Sequence, residues 1–402
     1  MRSRTLTALL VAEAVSSTGT AMTFVALPWF ILSTSGSAPK VSLVLAVEVL
    51  PMAIFGILSG SLVARLGARV SMLWADALRA PLIALVPVLH WTGHLTFGLL
   101  LVIVFGVGLF TAPYIASQRS IIPELFGDDE IAVSKASALF GTATQLPIVI
   151  GPALAGVLVS WLGASAVLVV DACTYLFAFF LVLVFVRGGA RIASDEQSAG
   201  VLAGIRYLSR DALLGPMTLT IVILDGAAGA IAVAVPLVAF TRYGENAHVA
   251  GWIFTSFGIG AIFGSIVAMK LLNSIPPLRL ACVAMVLATL PLWLIAFPIP
   301  WPAAAAAVIV CGIFVPMVNA PVMGLITTRP PAALRAKVLT AVMTASGIGS
   351  PIGRILVGPI YHAWGNGGVW VMIAGGLSLG TVAFIGAVAR SRSGAEVVTA
   401  PG

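Results

Sequence analysis

The sequence predicts an all-α membrane protein of twelve transmembrane helices in two pseudo-symmetric six-helix bundles, with both termini cytoplasmic. Three observations predict it. Of 402 residues, 60% are hydrophobic and 9% charged, whereas a soluble domain carries about 25% charged residues to cover its surface. Apolar runs of about 18 residues or more recur along the chain, each long enough to cross a bilayer core of ~30 Å. When those runs are threaded back and forth, the basic residues collect on one side. A soluble enzyme, a secreted disulfide scaffold and a disordered chain are excluded.

The spans read as 5–32, 41–63, 70–89, 95–116, 132–159, 166–186, 217–240, 250–269, 280–299, 303–326, 338–361 and 369–389. Helices are required because an open strand edge in lipid leaves amides unpaired, at several kcal/mol each. Arg2 and Arg4 precede the first span, as in a signal peptide, but Glu13 and the length of the run mark a retained helix. Arg65 and Arg69 join spans two and three, and Arg119 and Lys135 join four and five. Arg187, Arg191, Arg206 and Arg210 follow span six. Lys270 and Arg279 follow span eight, Arg329, Arg335 and Lys337 follow span ten, and Arg390 and Arg392 follow the last. Only Lys40 and Arg242 fall in outer loops, where all four histidines and Trp91, Trp161, Trp301 and Trp364 also lie. The basic excess is therefore topological, and no nucleic-acid partner is expected.

The longest polar stretch divides the chain into a bundle over 1–190, a linker over 191–215, a second bundle over 216–392 and a cytoplasmic tail over 393–402. Val201, Leu202, Ile205 and Leu208 recur at helical spacing, which predicts an amphipathic helix lying along the membrane. The halves repeat: Gly56-Ile-Leu-Ser-Gly60-Ser61-Leu-Val63-Ala64 matches Gly260-Ala-Ile-Phe-Gly264-Ser265-Ile-Val267-Ala268 at five of nine positions. Duplicated bundles of this kind place a binding site at mid-membrane and work by alternating access. The glycine pairs 56/60, 260/264 and 349/353 follow the small-xxx-small pattern of close helix approach.

Gly60-Ser-Leu-Val-Ala64-Arg65-Leu-Gly67-Ala-Arg69 resembles the loop signature of the major facilitator superfamily. Ala64 stands where that family carries Asp, which leaves Glu124 of Pro123-Glu124-Leu125 as the carboxylate to pair with Arg69. Gly151-Pro152-Ala-Leu-Ala155-Gly156 is similar to the GPxxGG element of proton-coupled antiporters, with Ala155 replacing one Gly. Ala75-Asp76-Ala-Leu-Arg79-Ala80 and Ala203-Gly204-Ile-Arg206-Tyr207-Leu208-Ser-Arg210 resemble the drug:proton antiporters that include macrolide-efflux and enterobactin-export proteins. The resemblance implies the superfamily fold, with helices two, five, eight and eleven between the halves, and roles in gating for Gly60, Arg65, Gly67, Arg69, Glu124, Gly151, Pro152 and Gly156.

Charges at mid-span cost ~2.5 kcal/mol or more on insertion scales, so each asks for a partner or a role. Glu13, with Ser17, Thr20 and Phe24 on the same face of helix one, is expected to load and release a proton; the plainer reading is a carboxyl bonded to Ser17. Asp225, at like depth in helix seven with Gly226 and Gly229 leaving room beside it, is its counterpart; the plainer reading is a contact to neighbouring backbone. Asp76 and Arg79, three apart, form an intramembrane ion pair, and Asp171 is a packing residue. Glu48 and Arg354 each lie about seven residues from the outer ends of helices two and eleven, roughly 10 Å below the surface, and could bridge as an outer gate or snorkel separately. Tyr114, Met317, Asn319, Met323 and Trp29 complete a soft cavity lining suited to lipophilic ligands, and are equally ordinary membrane filler.

The expected function is export of a lipophilic small molecule in exchange for protons, with a monomer in the bacterial cytoplasmic membrane. Siderophore or metabolite export and proton-coupled or facilitated uptake are the alternatives. No GxxxxGK[ST] loop supports ATP drive and no HExxH or filter repeat supports an intramembrane enzyme or channel. Cys173, Cys282 and Cys311 stand apart, so no disulfide framework, metal or cofactor is expected.

Overall fold

Backbone amides in hydrocarbon must bond within their own segment or a closed barrel, and the chain takes the helical solution. The computed structural model describes residues 2–127, 129–186 and 201–399. Arg187, Arg191, the 191–200 part of the expected linker and residues 400–402 of the tail lie outside them. The helices are α1 (Arg2–Ser35), α2 (Ala38–Leu66), α3 (Ala68–Trp91), α4 (Phe97–Phe126), α5 (Glu130–Leu162), α6 (Ala164–Phe185), the short α7 (Val201–Leu208), α8 (Leu214–Thr241), α9 (Ala247–Leu271), α10 (Pro277–Ile295), α11 (Trp301–Thr328) and α12 (Arg335–Thr399). Among the described residues, eleven helices are long and apolar enough to cross a membrane. The last of these spans runs 54 residues, about twice what a bilayer needs. Gly365 interrupts it at φ 62°, ψ −162°, where the chain leaves helical geometry. Counted on each side of that break, the spans are twelve.

Local chemistry sets the ends. Thr96 accepts from the Leu99 amide to cap α4, and Asp129 accepts from the Ala132 amide to cap α5. Gly67 ends α2 and starts α3 at φ 87°, and Gly163 does the same between α5 and α6 at φ 83°. A side chain rarely tolerates that conformation, which explains the glycine of the signature loop.

The chain divides into two compact units. One comprises Met1–Asp195 with Val235–Thr255, and the other Glu196–Ala234 with Ser256–Gly402. In the first, α1 packs on α5 and α6, α3 packs on α4 and α6, and α2 packs on α4. The inward stripe of α3 runs Ala68, Met72, Ala75, Asp76, Arg79, Ile83 and Val86, so its two charges sit in the row that would otherwise be core. The Val235–Thr255 stretch joins this unit through small residues and rings. A Cβ on Gly251 would collide with the Pro152 carbonyl oxygen, and one on Gly156 would stand 3.0 Å from the Ala247 carbonyl oxygen. Phe24 meets Phe254 edge-on at 5.1 Å and Trp29 meets Phe240 at 5.4 Å.

In the second unit α10 packs on α11 and α12. A Cβ on Gly353 would collide with the Gly226 carbonyl oxygen, and one on Gly260 with that of Ile309. The glycine pairs 260/264 and 349/353 therefore bring together α9 with α11 and α12 with α8, inside one unit. These are the close helix approaches that the small-xxx-small spacing predicts. Gly56 and Gly60 meet nothing within 4 Å.

The short α7 docks on α12, where a Cβ on Gly204 would collide with the Lys337 carbonyl oxygen. Leu208 is buried while Ile205 and Arg206 are exposed. Its inward face is therefore Gly204 and Leu208, with Ile205 turned away, a shift from the face that apolar spacing predicts. Just after it, Asp211 takes the amides of Leu213 and Leu214 and the Arg329 guanidinium at 3.0 Å. Partial burial pushes that carboxyl up, but the two amides and Arg329 outweigh it and hold it below the usual carboxylate range.

The glycine contacts yield a stability test. Gly353→Ala should lower the unfolding temperature of the purified protein, at a cost of about 1–3 kcal/mol for the overpacked α8–α12 crossing. Gly56→Ala should leave it unchanged or slightly raised, since Ala favours helix over Gly by up to about 1 kcal/mol.

Candidate functional site

The first unit encloses a polar cluster drawn from four helices. Glu13 on α1 is fully buried (0% exposed). It accepts from Ser17 Oγ at 2.9 Å, from Tyr114 Oη at 3.0 Å and from Gln118 Nε2. Arg79 Nη2 on α3 donates to Asp76 Oδ1 at 2.5 Å, with both side chains buried. The same guanidinium lies over two phenol rings, 4.0 Å from the Tyr114 centroid and 4.4 Å from that of Tyr175. A desolvated cation over an aromatic face gains about 2 kcal/mol or more, so both rings help hold the charge in place. Tyr175 Oη on α6 shares a hydrogen bond with Thr20 Oγ1 at 3.0 Å, and Asp171 accepts from Thr23 Oγ1 at 2.6 Å.

Three carboxyls thus surround one guanidinium in a buried space. The ion pair is monodentate, and Asp76 Oδ2 and Arg79 Nε are buried with no hydrogen-bond partner among the described residues. One cation balances one carboxylate. Two further negative charges buried uncompensated would cost several kcal/mol each.

Sequence-predicted residues fall in several places. Glu13, Ser17, Tyr114, Asp76 and Arg79 come together, and Thr20 joins them through Tyr175. The expected ion pair forms, but as part of this larger cluster. Phe24 packs against Phe254. Asp225 on α8 is half-buried and accepts from Ser346 Oγ on α12. The glycines beside it make no room for ligand, because Gly226 and Gly229 face the α12 backbone at Gly349, Ser350 and Gly353.

Met317 is buried in the core of the second unit with Val318 and Val322, while Asn319 and Met323 on the same helix are exposed. The 100° step of the helix separates these two rows, so Met317 does not join Asn319 in a lining. Glu48 lies part-buried on α2, where its carbonyl oxygen fills the place that a Gly108 Cβ would take. Arg354 is buried on α12, in the other unit.

The signature loop is wired differently from expectation. Glu124 accepts from the Ala68 amide through both oxygens, at 3.0 and 3.1 Å, and so caps α3. Arg69 does not pair with it. Its guanidinium donates to the carbonyls of Leu183 and Val186, the open end of α6, which a helix terminus leaves unsatisfied and slightly negative. Arg65 is exposed. Gly151 faces α1, where its Cβ would collide with that of Ala21, and Pro152 presents its carbonyl to Gly251.

Sequence reasoning missed Gln118, Tyr175, Thr23 and the polar role of Asp171. Spacing carried a signal for each: Gln118 follows Tyr114 by one turn, Tyr175 follows Asp171 by one turn on the buried row of α6, and Thr23 extends the row Glu13–Ser17–Thr20.

The sequence model of the Major Facilitator Superfamily matches residues 9–353. The chain belongs to that superfamily. As a superfamily member it is a multi-pass membrane transporter of small molecules and not an enzyme. It is 25% identical over 373 residues to the multidrug efflux pump Tap of Mycolicibacterium fortuitum, covering 89% of each chain. It is 22% identical over 385 residues to the multidrug efflux pump Tap of Mycobacterium tuberculosis (strain ATCC 25618 / H37Rv), covering 91% of this chain and 89% of that one. In fold it is similar to the nucleoside transporter NupG, with a TM-score of 0.76 at 13% identity over 95% of this chain and 98% of that one.

The shared cation can be tested by a mutant cycle. Arg79→Gln should destabilise the purified transporter by about 3–5 kcal/mol, since it strips the buried carboxyls of their counter-charge. Asp76→Asn with Arg79→Gln should cost less than Arg79→Gln alone, measured by thermal unfolding in detergent.

Proposed function

We propose that this transporter exports lipophilic small molecules, drug-like and cationic among them, in exchange for protons by alternating access. It works as a monomer in the bacterial cytoplasmic membrane with both termini inside. The observation that carries the reading is the excess of buried acid over base around Glu13. Glu13 is enclosed and hydrogen-bonded to Ser17, Tyr114 and Gln118, and an ionisable side chain at membrane depth is costly enough to call for a role, which carrying the exchanged proton would supply. Support for export comes from the multidrug efflux pumps that match along nearly the whole chain.

The two carboxyls have separate tasks in this scheme. Glu13 takes the transported proton, and Asp225, half-buried beside Ser346, attracts the cargo and loses its hold on it when protonated. Each inward proton gains roughly 2.3 kcal/mol per 100 mV of membrane potential. Alternating access also requires a side that closes and reopens. The ring contacts Phe24–Phe254 and Trp29–Phe240, with Thr255 donating to the Val149 carbonyl at 3.1 Å, are the contacts that opening to the outside would release.

Everted membrane vesicles supplied with ethidium test this. Glu13→Gln should reduce proton-driven transport at least ~10-fold, about 1.4 kcal/mol in the coupled step, while leaving ethidium binding measurable. Asp225→Asn should weaken binding itself. Full proton-driven transport by both variants would refute the coupling scheme.

A further inference from the structure

Asp171 is a buried carboxyl that neither the transport scheme nor the signature motifs use, and its surroundings are built for it. It is fully buried (0% exposed) on α6. Opposite stands Gly19 on α1, where a Cβ would collide with Asp171 Oδ1 and Thr174 Oγ1. The glycine is thus a notch in α1 that admits this carboxyl and the hydroxyl beside it. Thr23 Oγ1 bonds it at 2.6 Å, and Thr174 Oγ1, whose shorter bond goes to the Asp171 carbonyl oxygen at 2.7 Å, stands 3.3 Å from it. Both partners are hydroxyls, which can donate to a carboxylate or accept from a carboxylic acid. The site therefore suits either protonation state.

The charged and titratable groups around it are few. α1 brings Glu13, α3 brings Asp76 and Arg79, and α6 itself brings Tyr175. From α4 Tyr114 stands behind Arg79, and α5, uncharged beyond Lys135, brings none. Arg79 forms its ion pair with Asp76 and not with Asp171. Glu13 bonds Tyr114 and Asp171 lies one turn from Tyr175, and both of those rings contact the guanidinium. One row on α1, Glu13–Ser17–Thr20–Thr23, runs from the first acid to the hydroxyl that bonds the second, roughly 15 Å at 1.5 Å per residue.

We infer that Asp171 is a second proton-carrying carboxyl of the bundle, coupled to Glu13 through the single counter-charge of Arg79. The inference rests on the proton-exchange reading only for its purpose, since the proton site itself exists with or without transport. When one acid releases its proton the negative charge it leaves competes with the other for the same guanidinium, so the two titrate as a pair. Proton movement between them breaks one carboxylic O–H bond and forms another, with the net charge of the cluster unchanged.

The experiment is infrared difference spectroscopy of the intact protein in liposomes, titrated with acid and base and without any cargo. Wild type should show protonated-carboxyl absorption that changes with pH. Asp171→Asn should lose part of that signal and displace the midpoint of what remains, whereas Glu13→Gln should do the converse. Thr23→Val, which removes one hydroxyl partner and keeps the carboxyl, should retain the signal at a displaced midpoint, and it serves if Asp171→Asn folds poorly. Identical titrations for wild type and Asp171→Asn, or for wild type and Thr23→Val, would overturn the assignment. Those outcomes are independent of the ethidium assay, so failure of the second proton site and failure of the exchange scheme can be told apart.

Discussion

A guanidinium cannot be left alone in hydrocarbon, and much of the first unit is arranged so that Arg79 is not. Two tyrosines from different helices stack their rings near it, an aspartate one turn away takes one of its nitrogens, and two further acids, Glu13 and Asp171, belong to the same cluster. Each partner comes from a helix that must be positioned to supply it. α3 aligns its pair with its own apolar row, α1 aligns Glu13 with three hydroxyls, and α6 aligns Asp171 with Tyr175. The arrangement holds an imbalance, since three acids share one base. An imbalance of that kind is costly in a dry interior, and the proposed function draws on it.

The remaining helices are held by a different device. Where no charge draws helices together, the lipid offers no hydrophobic gain for association, and backbones approach through small residues. Gly226, Gly349 and Gly353 join α8 to α12, and Gly260, Gly264 and Gly312 join α9 to α11. Gly156 and Gly251 do the same for α5 and the start of α9 inside the first unit. The second unit has polar contacts of its own, among them Asp225 with Ser346 and Asp211 with Arg329. Both units thus pack helices through small residues, while the buried cluster of three acids and one base belongs to the first.

Much of this is legible in the order of residues. Composition and basic-residue placement predict a membrane chain of twelve helices, and a three-residue spacing predicts the Asp76–Arg79 pair. Glu13 stands out because a carboxylate is rare in so apolar a run. Asp171 reads as inert because its partners Thr23 and Thr174 are hydroxyls, which are common in membrane helices, and because Gly19 signals nothing by itself. The pairings of the glycines and of Glu124 with the α3 terminus depend on which helices meet, and periodicity within one helix cannot specify that. Arg69 and Met317 depart from expectation for the same reason: an open helix end attracts a cation, and a helical row decides what is core.

The proposed exchange stands on the protein giving up a proton when cargo arrives. The direct measurement adds tetraphenylphosphonium, a lipophilic cation, to the purified protein in weakly buffered detergent while a pH indicator counts protons and tryptophan fluorescence reports binding. Release of about one proton per protein on saturation is the predicted result, and it should fade as the medium becomes alkaline enough to empty the carboxyls beforehand. Saturable binding with no proton release at any pH would contradict the account.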